Sequence, residues 1–484
     1  MVLLGIDVGT QGARALACDA AGVVLAEADE SFAEFSIPDR PAGWIEQDPA
    51  AWWAATTRVL RRIVRGLGER STGMPAVQGI SVTSTSGTVC LVDEHGNATR
   101  SALLYNDRRS EVEAEEVNRV GSTLTEKLGY QFASSFALPK LLWLQRHDPD
   151  SFGKARYLLS PTDFIIGRLT GEFGTTDFTN ALKTGYDLIE KRWPSFIEEK
   201  LGIPIAKLPR VVAPGARVGQ LSAAAAEETG LTDGAPVLAG MTDGCASQVA
   251  TGAVGLNQWN STLGTTLVIK GVTRELIRDP AGRVYCHRHP DGHWLPGGAS
   301  NTGGECMARR FDAAKLPVLA AEALRIAPTN LLVYPLVRTG ERFPFANPKA
   351  AGFTLGHPTN EAELYTAHLE GIGYIERLAY EVLNQLGAVP GEEVYAAGGA
   401  AKVDAWLQIR TDILQKTLLV PANSGGAMGA AIIAAAGTMH NGIVPAARAM
   451  VRIVKRVEPR PSMKSAYQER YQRFCAALRE RGYL

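Results

Sequence analysis

The 484-residue chain is poor in the residues that would announce a metal site, a disulfide scaffold or a charged partner. It has six cysteines, at 18, 90, 245, 286, 306 and 475. None forms a Cys-x-x-Cys pair, so neither a disulfide framework nor a zinc site is indicated and a reducing cytoplasm is expected. Fifty Lys+Arg balance fifty Asp+Glu, which removes the whole-protein field that a nucleic-acid binder uses. No apolar run approaches the roughly 20 residues a membrane span needs; the alanine-rich stretch 427–437 is far too short. The N-terminal run Met1-Val2-Leu3-Leu4-Gly5-Ile6-Asp7 lacks a basic region and holds a carboxylate, unlike a signal peptide. Histidines number eight. Three of them, His287, His289 and His293, flank the turn Pro290-Asp291-Gly292 in what reads as a β-hairpin. His287 and His289 would share one strand face, but solvated or pairing histidines are favoured over a ligand pair.

What is present is ordinary globular material: 45% apolar residues, enough for two or three domains at typical domain size. The apolar run 2–8, a turn Gly9-Thr10-Gln11-Gly12 and the segment 13–19 read as strand, turn, strand. Asp48 and Pro49 suit the N-cap and first position of a helix whose apolar face is Trp52, Val59, Leu60 and Ile63. Strands are expected at 77–83, 88–92 and 236–240, and helices at 110–128, 138–147 and from 161. Residues 258–270 repeat the opening arrangement around Thr262-Leu263-Gly264-Thr265-Thr266, which suggests two related halves meeting near residue 240. A long amphipathic helix is expected over 361–387, a strand over 394–397 ending in Gly398-Gly399, and a last helix over 463–482. Tyr467, Tyr471, Phe474 and Leu478 give that last helix one apolar face.

Asp7 ends a buried strand beside a glycine turn. A carboxylate there is costly unless it faces a cleft, a cation or a partner, and consecutive N–H groups in such a turn make an anion-binding concavity. A hairpin also needs glycine, so one turn alone is weak. The second turn, Gly264-Thr265-Thr266, makes a nucleotide with phosphates between two loops the better reading, with Gly398-Gly399 a bare surface for base or ribose. Asp243 sits in a loop of small residues before a helix, where a positive dipole keeps a carboxylate ionised, as proton removal from an alcohol requires. Asp is also a favoured N-cap, and only the glycine turns raise it above that role. Gly-x-x-x-x-Gly-Lys-Ser/Thr, His-Arg-Asp, Asp-Phe-Gly, Gly-x-Gly-x-x-Gly after the first strand and Gly-x-Ser-x-Gly are all absent. Those absences exclude a P-loop, a protein kinase, a Rossmann site and a hydrolase elbow.

Taken together these residues resemble the FGGY family of carbohydrate kinases, in the superfamily of actin, hexokinase and the heat-shock chaperone ATPases. The resemblance runs along nearly the whole chain. Gly5-Ile-Asp-Val-Gly-Thr-Gln-Gly-Ala-Arg14 is similar to the family's first phosphate loop, Gly240-Met-Thr-Asp243 to its catalytic-base loop, Leu263-Gly-Thr-Thr266 to its second phosphate loop. Gly398-Gly399 through Trp406 is similar to its adenosine motif. Gly43-Trp-Ile-Glu-Gln-Asp-Pro49, Ala137-Leu-Pro-Lys-Leu-Leu-Trp-Leu144 and Pro161-Thr-Asp163 with Leu169-Thr-Gly171 are further landmarks. Each is modest alone; seven in order are specific.

The resemblance implies an α/β fold of two ribonuclease-H-like domains around an ATP cleft. Residues 1–240 would form an N-terminal sugar-binding domain, 241–440 a C-terminal nucleotide-binding domain, and 441–484 a helical segment packing back on the first. It implies ATP and Mg²⁺, a small-molecule sugar, no nucleic acid or membrane, and a monomer or homodimer. Asp243 would be the general base. Asp7 would hold Mg²⁺, with Thr10, Gln11, Gly264 and Thr265 around phosphate oxygens and Gly398 and Gly399 at the nucleoside. Ser86, with Asp7 and Asp243, would hydrogen-bond the sugar; Trp44 and Asp107 would contact it or only pack. Ser84-Thr-Ser-Gly-Thr88, Leu103-Leu-Tyr-Asn106, Asn180-Ala-Leu-Lys-Thr-Gly185 and residues 297–304 are similar to the plant and cyanobacterial subgroup, named xylulose kinase but preferring D-ribulose. Bacterial xylulokinases usually carry Met-His-Gly-Ala where this chain has Thr85-Ser86-Gly87-Thr88, so D-ribulose phosphorylated at O5 is expected, with D-xylulose the alternative. The family often has a third glycine and a polar residue where this chain has Ala400 and Val403, removing one hydrogen bond to the base. A non-catalytic sugar sensor on the same scaffold is disfavoured because Asp7, Thr10 and Asp243 are all present.

Overall fold

In a computed structural model, described over residues 1–33, 37, 40–69 and 75–484, the chain divides into two units. The first comprises Met1–Ala250, His287–Gly292 and Asn423–Val451; the second comprises Thr251–Cys286, His293–Ala422 and Arg452–Leu484.

Strand Val2–Val8 is buried along its whole length except at Asp7, the near-continuous apolar run of a strand covered on both faces. It is central in a six-stranded sheet ordered Arg217–Gln220, Pro236–Thr242, Val77–Ser84, Val2–Val8, Gly12–Cys18, Val24–Ser31. The middle three, Pro236–Thr242, Val77–Ser84 and Val2–Val8, are parallel, so their carboxyl ends lie at one edge. Helix Pro49–Gly68 begins as expected, with the Asp48 side chain accepting from Ala50 N at 2.9 Å. It buries Trp52, Val59, Leu60 and Ile63. The expected helix 110–128 is two helices, Glu111–Val120 and Ser122–Leu128, parted at Gly121.

The alanine-rich helix Gly426–Thr438 packs on this first sheet, although it was expected in the second domain. The reason lies in its missing side chains. A Cβ on Gly5 would stand 1.8 Å from the Ala427 carbonyl oxygen, and one on Gly429 would stand 1.9 Å from that of Ala246. Glycine and alanine let the helix rest on the strand backbone, and a helix apolar all round is a buried one.

In the second unit, strands Trp294–Ala299, Leu267–Gly271, Trp259–Leu263, Glu393–Ala397, Thr417–Pro421 and Ile453–Val457 lie side by side. Trp259–Leu263 and Glu393–Ala397 are parallel, so the Gly264 and Gly398 turns leave the sheet at the same edge. Helix Glu361–Gln385 is nearly as long as expected. The fully buried Glu376–Arg410 pair (2.7 and 2.9 Å), extended to Ser261 Oγ at 3.0 Å, ties it to helix Asp404–Leu414 and the sheet.

Two expectations about domain limits are corrected. The first unit runs on to Ala250, because strand Pro236–Thr242 belongs to its sheet and carries the chain straight into helix Asp243–Thr251. Of the segment 441–484 expected to pack back on the first unit, residues 441–451 belong to it, whereas the C-terminal helix Lys464–Glu480 belongs to the second. Its aromatic stripe meets its match inside the second: Tyr467 Oη donates to Glu370 at 3.2 Å, Tyr471 Oη to Glu381 at 2.6 Å, and the Phe474 and Tyr374 rings are 5.3 Å apart. Burial lifts Glu370 to about pH 7 despite four hydrogen bonds from Thr329 and Tyr467.

Candidate active site

The three parallel strands of the first unit end together. Asp7 is level with Thr83, which is level with Met241; Val8, Ser84 and Thr242 follow in the same register. Asp7, the turn after Ser84 and Asp243 therefore emerge at one edge, the carboxyl end of parallel strands where open α/β sheets bind ligands. Thr83 Oγ1 donates to Met241 O at 2.8 Å, and the Thr242 N–H donates to Thr179 Oγ1 at 3.0 Å, itself bonded to the buried Asp177. These bonds fix the loop that presents Asp243. Thr162 pins the Ser84 hydroxyl, with its N–H at 2.9 Å and its hydroxyl at 2.7 Å.

Asp243 opens helix Asp243–Thr251 and its Oδ1 accepts from the Gly244 N–H at 2.6 Å. Asp7 is half-buried. Burial, then the Asp243 carboxylate, raise its pKa to about 7, with Arg14 opposing. The structure thus brings Asp7 and Asp243 together as an interacting pair. A feature the sequence reading missed closes this spot: a Cβ on Gly426 would fall 2.7 Å from Asp7 Oδ2. Asp7, Arg14, Asp29, Asn423, Gly425 and Gly426 line a cleft of about 430 Å³. The signal for it was the Gly425-Gly426 pair, hidden in a run that reads as core helix.

Thr10 and Gln11 form the tip of the hairpin closed by Gly9 N to Gly12 O at 3.0 Å. Thr10 is half-buried and Gln11 exposed. The Thr10 carbonyl accepts from Gln47 Nε2 at 2.6 Å, while Gln47 Oε1 accepts from Trp52 Nε1 at 2.8 Å. The Gly43–Pro49 landmark thereby props the hairpin. Ser86 is half-buried on the turn between Ser84 and Thr88. Gly87 beside it has φ +81°, and a Cβ there would strike the Ser135 carbonyl oxygen at 2.1 Å. Asp107 and Trp44 pack. Asp107 accepts from Ile45 N at 2.6 Å and Arg109 at 2.7 Å, and the Arg109 guanidinium lies 3.7 Å from the centre of the Trp44 ring.

The second unit gathers its candidates around bare backbone. Gly264 N donates to Thr266 O at 3.1 Å, and Gly264 O accepts from Gly304 N at 2.8 Å. Thr265 is exposed. Gly398 has φ +86° and approaches so closely that a Cβ would lie 2.4 Å from Leu263 O, whereas Cβ atoms on Gly264 and Gly399 would meet nothing within 4 Å. Trp406 is buried with its ring near Gly304. Ala400 is buried and Val403 half-buried at the short turn after Gly399. His287 and His289 are buried rather than solvated. No group of three or more His, Cys, Asp or Glu among the described residues could hold a metal by itself. No helix among them is long and apolar enough to cross a membrane.

The candidates thus fall into two sets, carboxylates and a hydroxyl turn in one unit and open glycine turns in the other. Residues 2–250 match the N-terminal domain of the FGGY family of carbohydrate kinases, and residues 259–438 its C-terminal domain. The chain belongs to that family, and is an ATP-dependent sugar kinase of the two-domain, actin- and hexokinase-like fold. It is 30% identical over 445 residues to the xylulose kinase of Escherichia coli K12, covering 89% of this chain and 88% of that one. It is 28% identical over 448 residues to the xylulose kinase of Bacillus subtilis 168, covering 90% and 88%. The crystal structure of xylulose kinase from Rhodospirillum rubrum superposes with a TM-score of 0.88 at 27% identity, covering 99% of each chain. The expected kinship with a ribulose-preferring subgroup finds no support among these relatives.

Proposed function

We propose that the protein transfers the γ-phosphoryl group of ATP to the terminal hydroxyl of a ketopentose. The observation that carries this reading is the pairing of Asp7 with Asp243 at one edge of a parallel sheet, next to the Ser86 turn. D-Xylulose is the acceptor favoured by the names of the relatives. D-Ribulose is a second reading, favoured by Ser86, a short hydroxyl where the bacterial xylulokinase pattern has histidine.

Asp243 accepts the proton of the attacking hydroxyl. The helix it begins and the Gly244 N–H both favour its ionised form, and its charge is one of the causes that raise the Asp7 pKa. Ser86 and the two aspartates hydrogen-bond the sugar. Thr10, Gln11, Gly264 and Thr265 hold phosphate oxygens through N–H groups and hydroxyls, and Gly398 and Gly399 give the nucleoside a flat backbone surface. Such a reaction asks mainly for positioning and charge stabilisation.

Asp7 is the residue that would hold Mg²⁺. Two carboxylates that disfavour joint ionisation, with no group of three acidic, histidine or cysteine ligands among the described residues, suit a hard dication that keeps several waters. Bound there, Mg²⁺ offsets negative charge on the phosphates.

Coupled ADP release with Mg-ATP against D-xylulose, D-ribulose, L-ribulose, xylitol, ribitol and glycerol at matched concentrations tests the reading. A ketopentose should give the highest kcat/KM, with D-xylulose ahead of D-ribulose. A clear D-ribulose preference would instead favour the second reading, and ADP release indifferent to every sugar would remove both.

A further inference from the structure

We propose that Lys183 is a specificity-determining residue that receives the carbonyl end of the ketopentose, opposite the hydroxyl that is phosphorylated. The proposal rests on the ketopentose reading above. Lys183 lies in the short turn Leu182–Thr184, closed by Gly185 at φ +89°. Its stem runs against the Ser86–Gly87 turn, since a Cβ on Gly87 would come within 3.1 Å of Lys183 Cδ. The lysine stem thus packs beside Gly87, the residue next to Ser86.

The side chain is 8% exposed, yet among the described residues its ammonium has no hydrogen bond and no carboxylate partner. Its Nζ lies 5.4 Å from the centroid of the Phe136 ring. Lys140, buried close by, is different. Its ammonium is held by the carbonyls of Ser134, Phe136 (3.3 Å) and Tyr105 (3.4 Å). Burial, and then the charge of Lys183, push its pKa down to about 7. Asp107, whose charge is felt by Lys140, is already taken by Arg109 and the Ile45 N–H. Beside the Gly87 turn, Lys140 is thus satisfied by backbone carbonyls, whereas Lys183 has no such acceptor among the described residues.

An ammonium with no partner of its own, on a residue that is only 8% exposed, is placed to take oxygen atoms from a ligand. It has three donors and no acceptor. A ketone oxygen is a pure acceptor and complements it, whereas each hydroxyl of a pentitol also brings a donor that the ammonium cannot satisfy. Lys183 therefore favours ketoses over the corresponding alcohols. A charge-assisted bond of this type is lost at a cost of about 10- to 100-fold in kcat/KM.

The test is K183M and K183R assayed with D-xylulose and D-ribulose against xylitol and ribitol, with the KM for ATP and the melting temperature measured in parallel. K183M should raise the KM for the preferred ketopentose about 10- to 100-fold. It should hold the KM for ATP within about two-fold and leave pentitol turnover nearly unchanged, so that the ketose-to-pentitol ratio collapses. K183R, which keeps the charge, should recover part of that ratio and serves alone if K183M does not fold. Equal losses on ketose and pentitol, or an unchanged ratio in both variants, would overturn the role of Lys183. A wild-type enzyme that phosphorylates no ketopentose would overturn the function on which the proposal rests, a result distinct from either.

Discussion

The two units solve the same architectural problem with opposite materials. Each places its candidate residues where parallel strands end, Val2–Val8 with Val77–Ser84 and Pro236–Thr242 in one, Trp259–Leu263 with Glu393–Ala397 in the other. The first arms that edge with side chains: Asp7, Ser86 and Asp243. The second strips side chains away, leaving Gly264, Gly398 and Gly399. Proton transfer and sugar recognition need ionisable and hydroxyl groups, whereas phosphates and a flat base are met well by N–H groups and uncluttered backbone. The lesson is that one sheet edge serves either purpose, according to what its turns carry.

The largest expected effect lies in the first unit. Asp243→Ala should lower kcat by about 100- to 10,000-fold, the range for a lost general base, while ATP affinity measured by calorimetry stays within about two-fold. Near-normal turnover would remove Asp243 from its role.

The next concerns the cost of the Asp7 charge. Its pKa is raised from 3.8 to about 7, so ionisation costs nothing below about pH 4. The penalty grows between pH 4 and 7, and is complete above 7. Asp7→Asn should therefore melt higher than the wild type at pH 8, by an amount equivalent to roughly 2–4 kcal/mol, and nearly with it at pH 4. A difference independent of pH would contradict the assigned burial and pairing.

In the second unit, neighbouring glycines should part company. Gly398→Ala forces a Cβ into positive φ and onto Leu263 O, costing about 2 kcal/mol of stability. Gly399→Ala meets nothing within 4 Å and should leave the melting temperature intact while raising the KM for ATP about ten-fold, or 1.4 kcal/mol. The smallest effect belongs to Gln47→Leu, which releases the Thr10 carbonyl and the Trp52 indole for about 1 kcal/mol of stability.

Much of this was legible in the residues. Glycine turns advertise themselves because backbone demands cannot be met otherwise, and Asp7 stood out because a carboxylate in an apolar strand needs a reason. The landmark Pro161-Thr162-Asp163 was visible as a motif, but its work was not. Thr162 pins Ser84, and burial lifts Asp163 to about pH 7, further raised by Asp177. The destination of a helix was the hardest thing to read. Tyr467, Tyr471 and Phe474 show that the last helix packs, without showing that Tyr374 and Glu370 receive it. The alanine-rich helix carries no stripe at all, so nothing in it names the sheet beneath. Lys183 does not stand out within residues 180–185, since a lysine in a turn of small residues reads as solvated until its burial is known.

The most direct test of the division of labour is an initial-rate matrix, ATP against the preferred ketopentose, for wild type, Ser86→Ala and Gly399→Ala. Ser86→Ala should raise the KM for the sugar and leave that for ATP, and Gly399→Ala should do the reverse. Both constants moving together in both variants would contradict the account.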